Sequence, residues 1–295
     1  MLDELALIRI AIALPVLAVA SYSDLKTRTA SDLFWAILGI SGLVLFCVQT
    51  IQGGQALLSL IMALPLGFVL LDTMWDRKGV FEDGINVVPL VLYLASAAVI
   101  VVAVVLLPTS QAVWMGMSVL VMYVLYFLLY QFGIIKGGAD AKALMALSLL
   151  FPLYPLLGPF PMFGPGPLLA QEAFPFSLLI LLYAGLISLV VPLALFLVNL
   201  KRGDRVFPAM FVGYRMDINL VESKHVWPLD RIEDGHIVAR SAAIPDDDIG
   251  PQLEALRAAG AARIWVTPKI PFLVPMTFGV LIAVLVGNFV FAFIH

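Results

Sequence analysis

The chain has 295 residues, 62% of them apolar and 13% charged, with a net charge of −3. That balance is far from the soluble average and points to a membrane protein. A negative net charge without a basic tract excludes a nucleic-acid reader.

Runs of about 20 apolar residues can cross a bilayer, and a lipid-exposed backbone must bond to itself, which requires helices. Eight such helices are predicted, at 4–22, 33–50, 56–72, 85–107, 112–135, 140–157, 176–200 and 271–294. Pro65, Pro152 and Pro155 fall inside the third and sixth, which are the shortest. The expected fold is an all-α polytopic membrane protein. A core of seven helices spans 1–200, a small α+β domain spans 201–269, and a final helix lies within 270–295.

The chain starts "MLDELALIR", with two acids before its one base, the wrong flank for a cleaved secretion signal. Of the 17 lysines and arginines, all but Arg9 fall in the ends and loops of one side. The positive-inside rule makes that side cytoplasmic and puts both termini outside. Arg9, near the outer end of the first helix, is expected to snorkel toward the interface.

Asp24 stands in "SYSDLKTRTASD", where the first helix reaches the cytoplasmic face. Tyr22 and Trp35 read as interfacial aromatics, and Asp32 precedes the second helix. Cys47, the single cysteine, reads as a small buried hydrophobe. Asp72 and Asp76, in "LLDTMWDRKG", read as interfacial acids at the end of the third helix. Lys26, Arg28, Lys136 and Lys142 read as topology anchors.

The fifth apolar run ends in "GIIKGGADAKALMAL", residues 133–147, which places Asp140 at the cytoplasmic start of the sixth helix on a backbone thinned to glycine. Four helices intervene between Asp24 and Asp140, so parity returns both to one face at similar depth. Two carboxyls close together in a low-dielectric site share a proton. One can then act as base toward water and the other as acid toward a carbonyl oxygen, which is peptide hydrolysis without a metal. Gly137 and Gly138 remove side chains where the sixth helix approaches the first, or where an extended substrate reaches Asp140. Taken alone, Asp140 is equally well explained as a helix cap, and Asp24 is better explained as an acid in a loop of mixed charge.

Beyond 200, "RVFPAMFVGYRMDI", "GHIVAR" and "ARIWVTP" have strand character, and "DDDIGPQLEALRAAG" reads as a short helix closed by Gly260. His225, His236 and His295 are scattered, with no metal-ligand spacing, and no nucleotide-binding loop is present, so no cofactor is expected.

"GGAD" at 137–140 resembles the GxGD motif of membrane aspartyl proteases, with Ala139 in place of the second glycine, as in archaeal type IV prepilin and preflagellin peptidases. "DLKTR" at 24–28 resembles the first-aspartate motif of that family. "FPAMFVGYR" at 207–215 and "IWVTPKIPFLVP" at 264–275 resemble its archaeal C-terminal part. The resemblance implies Asp24 and Asp140 as the catalytic pair, with Gly137, Gly138, Lys26 and Arg28 in support. It implies removal of the short basic leader from archaellin or pilin precursors, cut before their hydrophobic segment at the cytoplasmic face of the cell membrane. The 116 positions between residues 24 and 140 exceed the spacing in compact archaeal members, which suggests an inserted helix pair. Two other classes fit less well. A presenilin-like intramembrane protease has a Tyr-Asp pair and a Pro-Ala-Leu motif, whereas Tyr22 and Asp24 are not adjacent and "FPAM" is a near miss. A proton- or cation-coupled transporter would place its acids near the bilayer midplane.

Overall fold

The structure is a computed structural model that describes residues 2–75, 77–82, 84–240 and 249–290. Asp76 and the acids at 246–248 lie outside these. The chain divides into two compact units, one formed by 1–184 with 272–295 and the other by 185–271.

The first unit is helical throughout. α1 (Leu2–Thr27) and α2 (Asp32–Gln52) form an antiparallel pair, and the Ser31 hydroxyl caps α2 by accepting the Leu33 N–H at 3.3 Å. A 3₁₀ turn over Leu57–Met62 leads into α3 (Ala63–Met74). Pro65 sits in the first turn of α3, where a missing N–H costs no helical bond. α4 (Val87–Leu106) and α5 (Gln111–Gln131) follow, then α6 (Gly138–Leu150). After the short α7 (Leu168–Ala173) comes α8 (Phe176–Ser188), and α9 (Val190–Arg202) follows within the second unit.

Six stretches among the described residues are long and apolar enough to cross a membrane: α1, α2, Leu57–Met74, α4, α5, and α8 with α9 as Phe176–Arg202. The sixth and eighth predicted helices are shorter than expected. α6 stops at Leu150 because Pro152 and Pro155 cannot continue it, and the last helix, α12 (Leu273–Leu285), gives way to a turn at Gly287. At 13 residues each they extend only about 20 Å.

α6 is the centre of the bundle. Ala141 and every residue from Ala143 to Leu150 are buried, so the helix is apolar on all sides, as a helix enclosed by others must be. Its principal neighbours are α2 and α5. Gly42 of α2 sits against the backbone of α6, where a Cβ would lie 2.7 Å from the Leu150 nitrogen. One core joins α1, α2, α5, α6, α8 and α12, and a second joins α2, α3 and α5. Little of α4 is buried. The α3–α4 hairpin is therefore peripheral to the main core.

Part of the irregular stretch after α6 bonds to the end of α12 and the turn after it. Met162 N–H donates to Leu285 O at 3.0 Å and Phe163 N–H to Val286 O at 2.8 Å. The Tyr183 hydroxyl donates to Gly287 O at 2.8 Å, and the Asn288 amide donates to the Tyr154 hydroxyl at 2.8 Å.

Several side chains differ from the sequence expectation. Trp35 is fully buried rather than interfacial. Arg9 does not snorkel outward: it is 5% exposed and donates to Gln49 Oε1 at 2.8 Å. Asp32 belongs to the first turn of α2, and Lys142 pairs with it at 2.7 Å. Asp72 is held by Arg77 and by the Tyr93 hydroxyl at 2.5 Å. Cys47 packs, partly buried, against the second core.

The second unit contains a three-stranded antiparallel sheet in the order β1 (Tyr214–Asp217), β5 (Arg263–Pro268), β2 (Val226–Pro228). Tyr214 pairs with Val266 and Trp227 with Thr267. β3 (Asp230–Glu233) and β4 (His236–Ala239) form a hairpin whose two-residue Asp234-Gly235 turn has positive φ at both positions. The expected strand from 205 begins late, because residues 209–212 form α10 (Ala209–Val212); Asn199 anchors it by donating to Met210 O and Gly213 O. α11 (Gly250–Ala258) buries Leu253 and Leu256 against β5.

Candidate active site

Asp24 occupies the last turn of α1 and Asp140 the first turn of α6, and the two helices touch. The structure brings these residues together although 116 positions separate 24 from 140. The charge of Asp24 acts directly on the Asp140 carboxyl.

Three local features fix Asp24. The backbone N–H of Leu273, the first residue of α12, lies beside its carboxylate. Such first-turn N–H groups have no partner inside their own helix, so a carboxylate is a natural one. α12 is held against α1 by the hydroxyls of Thr277 and Ser21, 2.8 Å apart. The third feature is Arg28, whose cation acts on Asp24. Arg28 closes α1 with φ 57°, and its N–H bonds Asp24 O at 3.0 Å. The turn after it is braced by Ser23 and Thr27, whose hydroxyls donate to Thr29 O. Nε and Nη1 of Arg28 are buried without a hydrogen-bond partner among the described residues. Buried donors without a partner are uncommon, and these lie on the arginine that acts on Asp24.

Asp140 is shaped by Gly137. The glycine is the N-cap of α6, its carbonyl accepts the Asp140 N–H at 3.1 Å, and the Asp140 carboxylate folds back over it. A Cβ on Gly137 would overlap that carboxylate. Gly138 is different: a Cβ there would lie 3.5 Å from the Tyr130 hydroxyl, an ordinary contact. The first glycine is thus required by the acid three residues on, and not by an approach of α6 to α1. The second has room to spare.

Lys26 and Lys136 are exposed, and Lys142 is engaged with Asp32. None of the three contacts the carboxyl pair through a bond seen here. An apolar cavity of about 640 Å³ runs beside α6, lined from that helix by Gly138, Ala141, Lys142 and Met145. Residues of α3, α4 and α5 form its other walls. Sequence reasoning missed the α12 start as a partner of Asp24. The apolar run of that helix was legible, but nothing in it signals which early residue its first N–H will meet.

Comparison with known proteins points to peptidases. Residues 206–289 match the family model described as Archaeal Peptidase A24 C-terminus Type II. The preflagellin peptidase of Methanococcus voltae is 26% identical over 176 residues, covering 57% of this chain and 70% of its own length. That of Methanocaldococcus jannaschii is 28% identical over 176 residues, covering 57% of this chain and 69% of its own length. Over these stretches the chain is similar to archaeal preflagellin peptidases.

Proposed function

We propose that the chain is a multi-pass membrane endopeptidase that removes the leader of preflagellin-like precursors, with Asp24 and Asp140 as its catalytic pair. The observation that carries the reading is the convergence of these two carboxyls at one end of the bundle, each shaped by its own neighbours. The kinship with peptidases supports the reaction class.

In the proposed reaction the pair carries one proton, because neighbouring carboxyls do not both ionise readily. The ionised member takes a proton from a water held between them. That water attacks the scissile carbonyl carbon while the protonated member donates to the carbonyl oxygen. On collapse the first aspartate passes the water's proton to the leaving nitrogen and the second takes back the hydroxyl proton, which leaves an amine and a carboxylic acid. Leu273 N–H orients Asp24, and the free N–H groups of Arg28 are placed to hold the substrate backbone or the oxyanion. The apolar cavity beside α6 suits the hydrophobic segment that follows the leader, and brings the cleavage point next to Asp140. With the aspartate end facing the cytoplasm, basic leader residues stay on the side where the positive-inside rule holds them.

The test is mass spectrometry of precursor N-termini in membranes carrying parent, Asp24→Asn or Asp140→Asn protein at equal expression. Each variant is expected to leave the leader uncut. Turnover near the parent rate by either would remove that aspartate from the mechanism.

A further inference from the structure

The end of the bundle away from the aspartates holds a second polar site. Arg9 precedes Asp24 by 15 positions on α1, about 22 Å along the helix. It lines a cavity of about 440 Å³ that the proposed peptide chemistry does not use. Five glutamines line the same cavity: Gln49, Gln52, Gln55, Gln111 and Gln171. No carboxylate does so among the described residues.

The hydrogen bonds inside this pocket leave it rich in donors. Arg9 is 5% exposed, and its Nη2 donates to Gln49 Oε1 at 2.8 Å while Nε has no partner among the described residues. Gln55 Oε1 accepts from the Ser110 hydroxyl at 3.1 Å, and Gln171 Oε1 accepts from the Tyr154 N–H at 3.4 Å. Three amide oxygens are therefore occupied by the protein itself. The Gln49 amide nitrogen reaches only the Met115 sulfur, at 3.5 Å, and that of Gln171 spends one hydrogen on Gly166 O at 3.0 Å. A buried cation without a counter-ion is costly, as is a buried N–H without an acceptor. An acceptor-only anion with several oxygens answers both, and guanidinium with amide N–H groups is a phosphate-binding chemistry.

We propose that this pocket binds a phosphate group, carried either by a phospholipid headgroup or by free inorganic phosphate, with Arg9 as its principal ligand. The pocket lies among helix ends, the level at which headgroups sit, and Leu156 and Leu168 at its lining are exposed. The proposal does not depend on the peptidase reading.

The experiment uses the full chain in detergent, with two probes. Native mass spectrometry compares retention of phosphatidylglycerol with that of a diacylglycerol of the same chains. Thermal unfolding compares sodium phosphate with sodium chloride at equal ionic strength. The parent is expected to prefer the phosphate-bearing probe in at least one arm. A preference confined to phosphatidylglycerol assigns the headgroup, and a rise in melting temperature with phosphate assigns the free ion. Arg9→Gln should weaken that preference at least tenfold. Gln52→Glu and Gln111→Glu bring a negative charge to the rim without emptying the buried position, and should weaken it similarly while melting like the parent without ligand. No preference in either arm, or parent-like binding by the two glutamate variants, overturns the proposal, even if Arg9→Gln does not fold.

Discussion

Gly137 stands where any side chain would overlap the carboxylate of Asp140, whereas a Cβ on Gly138, one position on, would make only ordinary contact with the Tyr130 ring. The two glycines are therefore not equivalent. Gly137→Ala would displace the carboxyl, and a misplacement of about 1 Å can cost roughly 100-fold in rate. Gly138→Ala should stay within a few-fold of the parent and gain slightly in helix propensity. Precursor cleavage rates of the two variants in the same membranes check this. Equal losses would show that the glycines serve only chain flexibility.

Gly42 brings α2 onto α6, the helix that carries Asp140. A methyl there already meets the Leu149–Leu150 backbone, and backbone cannot swing aside as a side chain can. Gly42→Leu should cost about 1–3 kcal/mol or more by overpacking and lower the melting temperature in detergent. Cleavage should fall with it, since α6 would have to shift. A variant that melts like the parent would show that the two helices are not held at this distance.

The Lys142–Asp32 pair joins the same two helices, but both partners are partly exposed. Exposed pairs contribute under about 1 kcal/mol, so Lys142→Met should leave both melting and cleavage close to the parent. A loss of more than tenfold in cleavage at unchanged expression would give Lys142 a direct role at the neighbouring site.

Asp230 of the second unit is 4% exposed; its Oδ2 accepts the Trp265 N–H at 2.9 Å, while Oδ1 has no hydrogen-bond partner among the described residues. Burial pushes its carboxyl above the usual range, against the opposing pull of the Trp265 N–H and the Arg215 cation. A folded-state value raised above the unfolded one gives stability that is complete at low pH and lost as pH rises through the folded value. Asp230→Asn keeps an acceptor for Trp265 without burying a charge. Hydrogen exchange of residues 263–268, corrected for intrinsic rates at pH 4 and pH 8, should show the variant gaining protection over the parent as pH rises. A difference that shrinks with pH would refute the assignment.

The long apolar spans of the bundle were legible because their signal is local: some twenty apolar residues in a row. The two short helices were overdrawn for the same reason. The sequence after Leu150 and after Leu285 stays apolar, and only the Pro152–Pro155 spacing and Gly287 show where the helix stops. Arg9 was read as an interfacial residue because its partner, Gln49, is 40 positions away on another helix. Trp35 looked interfacial by its place at a helix end, yet α6 and its neighbours bury it completely. Asp24 and Asp140 could be matched by counting helices. What lies around them could not, since Leu273 comes from the far end of the chain and carries no side-chain mark of its role.

The middle of the bundle has a consequence for permeability. Leu144, Leu147, Leu150, Phe151 and Phe176 are wholly inaccessible and stack in one core between the aspartate end and the Arg9 end. A hydrolase needs water at its carboxyls, and a membrane needs to hold its ion gradients. In the proposed reaction, water that reaches the carboxyls finds no polar path through these side chains toward Arg9.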